Sequence, residues 1–176
     1  ERHALLSSPS SWRAILLASI LVGAVAASIV AAATQSLPLI AALELNAVSL
    51  LLVAAGTALW VLLGAALAEE ILFRAYLQPR LALLARSETM AIAVGALIFA
   101  LVHVPGLYLR ADQADLMQNG APSLLACVGY AVAVLSPPGV LFGMLWARTR
   151  SLFLVVVIHA LIDLPPNMAE FAGLIG

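Results

Sequence analysis

The chain has 176 residues, of which 64% are hydrophobic and only 10% charged, with a mean hydropathy of +1.12. Soluble domains carry roughly 45–50% apolar and about 25% charged residues, so a water-soluble globule is excluded. The expected class is all-α, a polytopic transmembrane helical bundle. The apolar runs are continuous and rich in Leu, Ala and Val, which excludes a membrane barrel, whose signature is alternation over segments of about ten residues. The net charge of −1 identifies no partner beyond the lipid bilayer, and no nucleic acid is expected. The single cysteine, Cys127, excludes an intrachain disulfide and any cysteine-based zinc site.

The chain opens at Glu1 rather than Met, so it reads as a piece of a longer one. Its first apolar run, about twenty residues, has the length of a spanning helix rather than of a signal peptide. A polar start ends in a Ser/Pro cluster and Trp12, an interfacial anchor type. Arg13–Ala33 is the first expected span, and Thr34–Asn46, with Pro38, Glu44 and Asn46, is a break. Asn46 is a good N-cap for the second run, which continues to Gln78, where Pro79 interrupts it. That run exceeds the roughly 20 residues of a perpendicular span, so it tilts or leaves the membrane as an interfacial segment. Arg80–Thr89 reads as a connection, with Ser87-Glu88 starting a helix, and Met90–Leu109 as the third span. After a polar loop over 110–120, Ala121–Ala147 is a fourth span, kinked or broken at Pro137-Pro138. Ser151–Leu164 is a fifth, halted near Pro165-Pro166. No internal repeat or low-complexity linker divides residues 1–176, so one domain is expected.

All eight basic residues are arginines. With the N-terminus inside, Arg2, Arg13, Arg74, Arg80, Arg86, Arg148 and Arg150 fall on the cytosolic side. Arg110 falls outside, with Asp112, Asp115 and Glu44. That asymmetry satisfies the positive-inside rule.

Three patterns place polar pairs in apolar helices: Glu69-Glu70-Ile-Leu-Phe-Arg74, Phe99-Ala-Leu-Val-His103 and His159-Ala-Leu-Ile-Asp163. Ionisable groups in hydrocarbon are costly and face a bundle interior or a wet cavity. Glu70 and Arg74, Phe99 and His103, and His159 and Asp163 are each i,i+4 and share a helix face. At 1.5 Å per residue, Glu69 and His159 lie roughly 14 Å from the cytosolic end and His103 about 21 Å. The expected product is one polar cavity nearer the cytosol. Such a group suits hydrolysis: a buried Glu as general base, a His that orients water, and a second His with a polar partner as oxyanion donor. Neither a Gly-x-Ser-x-Gly elbow nor a His-Glu-x-x-His zinc helix occurs.

Together, Glu-Glu-x-x-x-Arg, Phe-x-x-x-His and His-x-x-x-Asn/Asp resemble the CAAX prenyl protease and bacteriocin-processing family of intramembrane endopeptidases. The local text agrees, from Ala68 to Arg80 and from Gly143 to Leu152 leading into His159. The motif core covers about residues 55–165. The resemblance implies that Glu69 and His103 activate water, that His159 and position 163 form the oxyanion site, and that Glu70, Arg74 and Phe99 support them. It implies a membrane-bound or lipidated peptide or protein substrate and no metal. Two departures are visible: Asp163 stands where prenyl-processing members carry Asn, and Ala75 where Gly is often found.

Plainer readings stand beside these. Glu70–Arg74 serves equally as a structural clamp, and Asp163 as the group that fixes the tautomer of His159. Gly139-x-x-x-Gly143 reads as helix packing, while Trp12, Trp146, Tyr76 and Tyr108 fit interfacial belts. Zinc held by Glu69, His103, His159 and Asp163 is a second mechanism on the same fold, because nitrogen and oxygen ligands suit that metal. A non-catalytic scaffold or bacteriocin-immunity protein is another reading, and a proton-coupled transporter a third, weakened by the absence of repeats. The expected location is a bacterial inner membrane. The arginine asymmetry predicts that a cysteine placed at position 115, in a Cys127→Ser background, reacts with an impermeant reagent from outside the cell. Labelling from the cytosolic side alone would refute that topology.

Overall fold

The computed structural model describes residues 9–33, 36–109 and 123–175. Expectations about Arg2, Arg110, Asp112, Asp115 and the 110–120 loop, and about the side chains of Trp12 and Arg13, lie outside the described residues. The rest is helix, with no strand among the described residues. The elements are α1 (Pro9–Ala33), α2 (Ser36–Ala42), α3 (Ala47–Ala85), α4 (Glu88–Leu109), α5 (Leu124–Thr149) and α6 (Leu152–Ile175).

Side chains start three of these helices. Asn46 Oδ1 accepts from Ser49 N at 2.9 Å, Ser87 Oγ from Met90 N at 3.2 Å and Ser123 Oγ from Ala126 N at 3.1 Å. Each bond satisfies an N–H that a helix start otherwise leaves without a partner. Both α3 and α5 end on an arginine with left-handed backbone, Arg86 at φ 51° and Arg150 at φ 52°. Only Arg86 and Ser87 separate α3 from α4, so the connection expected over Arg80–Thr89 is much shorter.

The helices continue past their prolines, where the sequence implied an interruption at Pro79, a halt near Pro165-Pro166 and a kink or break at Pro137-Pro138. α3 passes through Pro79 to Ala85, and α5 through Pro137-Pro138 to Thr149. In each case the turn before the proline is widened to π geometry, over Ile71–Leu77 and Ala131–Leu135. A proline ring clashes with the carbonyl four residues back and cannot donate to it. A widened turn moves that carbonyl aside, so the helix survives. α6 likewise continues beyond Pro165-Pro166 to Ile175. There Asn167 Nδ2 donates to the Asp163 carbonyl at 2.7 Å, supplying a polar partner within the turn that holds the prolines.

Among the described residues, three helices are long and apolar enough to cross a membrane, namely α3, α4 and α5. Ile20–Ala32 with Ser36–Ala42 makes a fourth if the bent pair counts as one span. The apolar part of α6, Leu152–Met168, is shorter. Among the described residues, length and composition thus give three or four spans, against the five expected.

The chain divides into two compact bodies, Glu1–Glu69 with Phe153–Gly176, and Glu70–Leu152. In the first, Val53, Thr57 and Val61 form the buried stripe of α3 at helical spacing. The Thr57 hydroxyl donates to Val53 O at 2.7 Å, so its burial leaves no polar group unanswered. A Cβ on Gly56 would stand 2.7 Å from the Phe171 ring, so α3 and α6 approach closely only because Gly56 has none. Phe171 also packs on Trp60, with ring centroids 5.7 Å apart.

In the second body, a Cβ on Gly139 would lie 3.1 Å from Ala96 Cα and 3.3 Å from the Phe99 ring. Gly139-x-x-x-Gly143 is thus the face on which α5 seats α4, in the manner of small-residue packing motifs. Farther along, Ala100, Val104, Cys127 and Ala131 close the same helix pair, with Leu107, Val128 and Leu135 against them.

Candidate active site

Glu69 and Glu70 follow one another on α3 but have different surroundings. Successive helical residues point about 100° apart, so one turn of helix serves two environments. Glu69 is half-buried in the first body, while Glu70 is fully buried in the second.

Glu70 meets Arg74 one turn on. Arg74 Nε donates to Glu70 Oε2 at 2.8 Å, with the side chains 1% and 0% exposed. Three phenyl rings surround the guanidinium: Phe99, Phe142 and Phe73, with centroids 5.3, 5.6 and 5.9 Å from Cζ. Their π faces attract a cation, more so when water is excluded. The rings also hold one another edge to face, Phe73 to Phe99 at 5.2 Å and Phe99 to Phe142 at 6.3 Å.

Phe99 carries this cage to the next motif. Its ring lies 4.9 Å from the His103 ring, and its carbonyl is 2.6 Å from His103 Nδ1. A carbonyl only accepts, so Nδ1 carries the proton and donates. In the neutral imidazole Nε2 is then the unprotonated nitrogen, the one able to accept a proton or orient a water. His103 also stands at the break between two helical segments of α4, Glu88–Val102 and Val104–Leu109.

Gln78 completes the framework of this body. Buried at 1% exposure, its Nε2 donates to Glu88 Oε1 at 3.0 Å and to Gly143 O at 3.1 Å. One amide thereby ties α3 to the start of α4 and to α5.

The third motif lies in the first body. His159 is buried, and its Nε2 faces two carboxylates: Asp163 Oδ2 at 3.2 Å and Glu69 Oε2 at 3.8 Å. An Asp163 carboxylate would accept a hydrogen bond from a proton on Nε2. The backbone of Asp163 is held in turn by Asn167.

The structure therefore brings Glu69, His159 and Asp163 together, and separately Glu70, Arg74, Phe99 and His103. The meeting of these two groups stays an expectation from the sequence. Among the described residues, no three or more of His, Cys, Asp and Glu are grouped to hold a metal ion. Sequence reasoning gave no role to Phe73, Phe142 or Asn167. Phe142 stands inside the Gly139-x-x-x-Gly143 motif, and nothing in that pattern points at a cation.

Removing Arg74 would leave Glu70 buried and uncompensated. Arg74→Ala is expected to cost about 3–5 kcal/mol of stability, read as a lowered melting temperature and folded yield in detergent. An unchanged melting temperature would contradict the clamp.

A family model described as Type II CAAX prenyl endopeptidase Rce1-like matches residues 51–165, well over half of the chain. The matched stretch contains all three motifs, from Glu69 to Asp163. No curated protein and no solved structure matches the chain.

Proposed function

The chain belongs to the Rce1-like type II CAAX prenyl endopeptidase family of membrane proteases, and on that premise we propose that it is an intramembrane endopeptidase of the glutamate type. Its substrate is a membrane-held peptide or protein, and the lipid modification named in the family's description is the first chemistry to try. The observation that carries the reading is the placement of Glu69 Oε2 and Asp163 Oδ2 at one histidine nitrogen, His159 Nε2. This placement supports a reading with Glu69 as base, His159 as donor and Asp163 as the group that orients the donor.

In the proposed reaction Glu69 takes a proton from water as the water oxygen bonds to the scissile carbonyl carbon. His103 accepts the second water hydrogen through Nε2 and so aims the nucleophile. The carbonyl electron pair moves onto oxygen, and the oxyanion accepts a hydrogen bond from His159 Nε2–H, which keeps its proton and turns from Asp163; the pair returns to re-form the carbonyl as the amine leaves. Glu69 then returns its proton to the departing amine as the C–N bond breaks. Asp163 holds the His159 proton at Nε2 between turnovers. The protein is taken to lie in a bacterial inner membrane with its N-terminus in the cytosol.

Glu69→Gln is expected to lower turnover by about 10²–10⁴-fold, the usual cost of losing a general base, with melting temperature nearly unchanged. Wild-type turnover of purified Glu69→Gln protein on a membrane-tethered peptide library would sink the assignment. Activity is expected to persist in chelator. Loss on chelation with restoration by zinc would transfer the carboxylates and histidines to a metal mechanism. Asp163→Asn is expected to keep activity, since an amide both orients His159 and donates to an oxyanion. Inactivity of a folded Asp163→Asn protein would show that the negative charge itself is required.

A further inference from the structure

One end of the second body gathers charge that the catalytic reading does not use. Glu88 accepts from Gln78 Nε2 through Oε1, and its Oε2 is 3.4 Å from Arg150 Nη2. These bonds bring the C-terminal parts of α3 and α5 to the start of α4. Three further arginines each lie two residues from a member of this network: Arg80 after Gln78, Arg86 before Glu88 and Arg148 before Arg150. All three are exposed. Two residues along a helix turn the side chain by roughly 200°, so Arg80 points away from the inner network that Gln78 enters.

The balance of charge at this end is one-sided. Among the described residues of the body, the acids are Glu70 and Glu88 and the arginines 74, 80, 86, 148 and 150. Glu70 pairs with Arg74 and Glu88 with Arg150. Arg80, Arg86 and Arg148 are the surplus.

Apolar and aromatic groups share that end. Leu83 and Leu84 stand between Arg80 and Arg86 and are 79% and 83% exposed. Arg80 lies flat on Tyr76, 3.6 Å from the ring centroid, and donates to the Tyr76 carbonyl at 2.8 Å. Arg150 lies over Trp146 at 5.7 Å. An arginine over an aromatic ring one turn earlier thus recurs at the ends of two helices. Tyr and Trp favour the membrane–water interface, and arginine stems lie along apolar surface while the charge reaches the headgroups. α3 has 39 residues, against the roughly 20 that a perpendicular span needs.

We propose that Arg80, Arg86 and Arg148, with Leu83 and Leu84, form a seat for anionic phospholipid headgroups. The arginines take the lipid phosphate, and the two leucines enter the acyl region beside it. Surplus positive charge selects the anionic lipid, and the exposed leucines select a lipid over free phosphate. Anchoring there would fix the ends of α3, α4 and α5 together, the helices that carry Glu70, Arg74, Phe99 and His103. The seat stands or falls independently of the proposed chemistry.

The test uses the purified full chain in neutral detergent, offered equal amounts of phosphatidylglycerol and phosphatidylcholine, with retained lipid counted by native mass spectrometry. Phosphatidylglycerol is expected to be retained preferentially. The preference should fall by about five-fold for each arginine lost in the series Arg80→Gln, Arg86→Gln and Arg148→Gln. Leu83→Ser with Leu84→Ser should weaken lipid retention without creating affinity for inorganic phosphate. Should the combined arginine variant fail to fold, the wild type in low and high salt answers the same question, since screening must erase an electrostatic preference at a surface. A preference that survives both high salt and loss of the arginines overturns the proposal. Equal retention of the two lipids by the wild type also overturns it, as does displacement of phosphatidylglycerol by millimolar inorganic phosphate.

Discussion

A full positive charge among apolar helices must be answered where it stands, and Arg74 is answered by Glu70 at 2.8 Å and by three phenyl faces. Removing either ion would leave the other buried without this partner, which is costly in an apolar interior. Much of the second body follows from that requirement. Phe99 must reach the guanidinium from α4, and Phe142 from α5. Gly139 carries no side chain where Phe99 and Ala96 come closest. Once Phe99 is placed, its carbonyl fixes the proton on His103 Nδ1. A clamp and a histidine tautomer are thus one piece of packing.

Widened helix turns do related work. The π segment Ile71–Leu77 begins directly after Glu70 and ends just before Gln78 and Pro79. Such turns occur often at functional sites, and here one also relieves a proline. The same arrangement precedes Pro137-Pro138 in α5. Without the widening, Pro79 would break α3 short of Gln78's partners. The amide that joins α3, α4 and α5 would then lose its position.

Asp163 is the chain's departure from the pattern it otherwise follows. Its carboxylate lies 3.2 Å from the nitrogen that also faces Glu69. An amide at this position would offer a donor of its own. A carboxylate instead fixes the proton of His159. Asn167, one turn on, holds the Asp163 backbone through the proline pair. The tail of α6 thereby becomes part of the support of the site rather than a terminus beyond it.

What the sequence determined by itself was local or compositional. The membrane class follows from hydropathy, because hydrocarbon admits only residues of that kind over so long a run. The caps at Asn46 and Ser87 and the pairs Glu70–Arg74, Phe99–His103 and His159–Asp163 were legible, because each is closed within one turn of one helix. Tertiary structure decided what depends on a second helix. It chose Phe73 and Phe142 as walls for Arg74, and it set Glu69 beside His159. It placed Gln78 between Glu88 and Gly143, and it gave Gly56 to the Phe171 ring. It also carried α3 and α6 through prolines that local rules read as stops, since a widened turn or a neighbouring amide can compensate for a missing N–H. Spacing reports which side chains share a face, whereas the identity of the opposing face is set only when the helices pack.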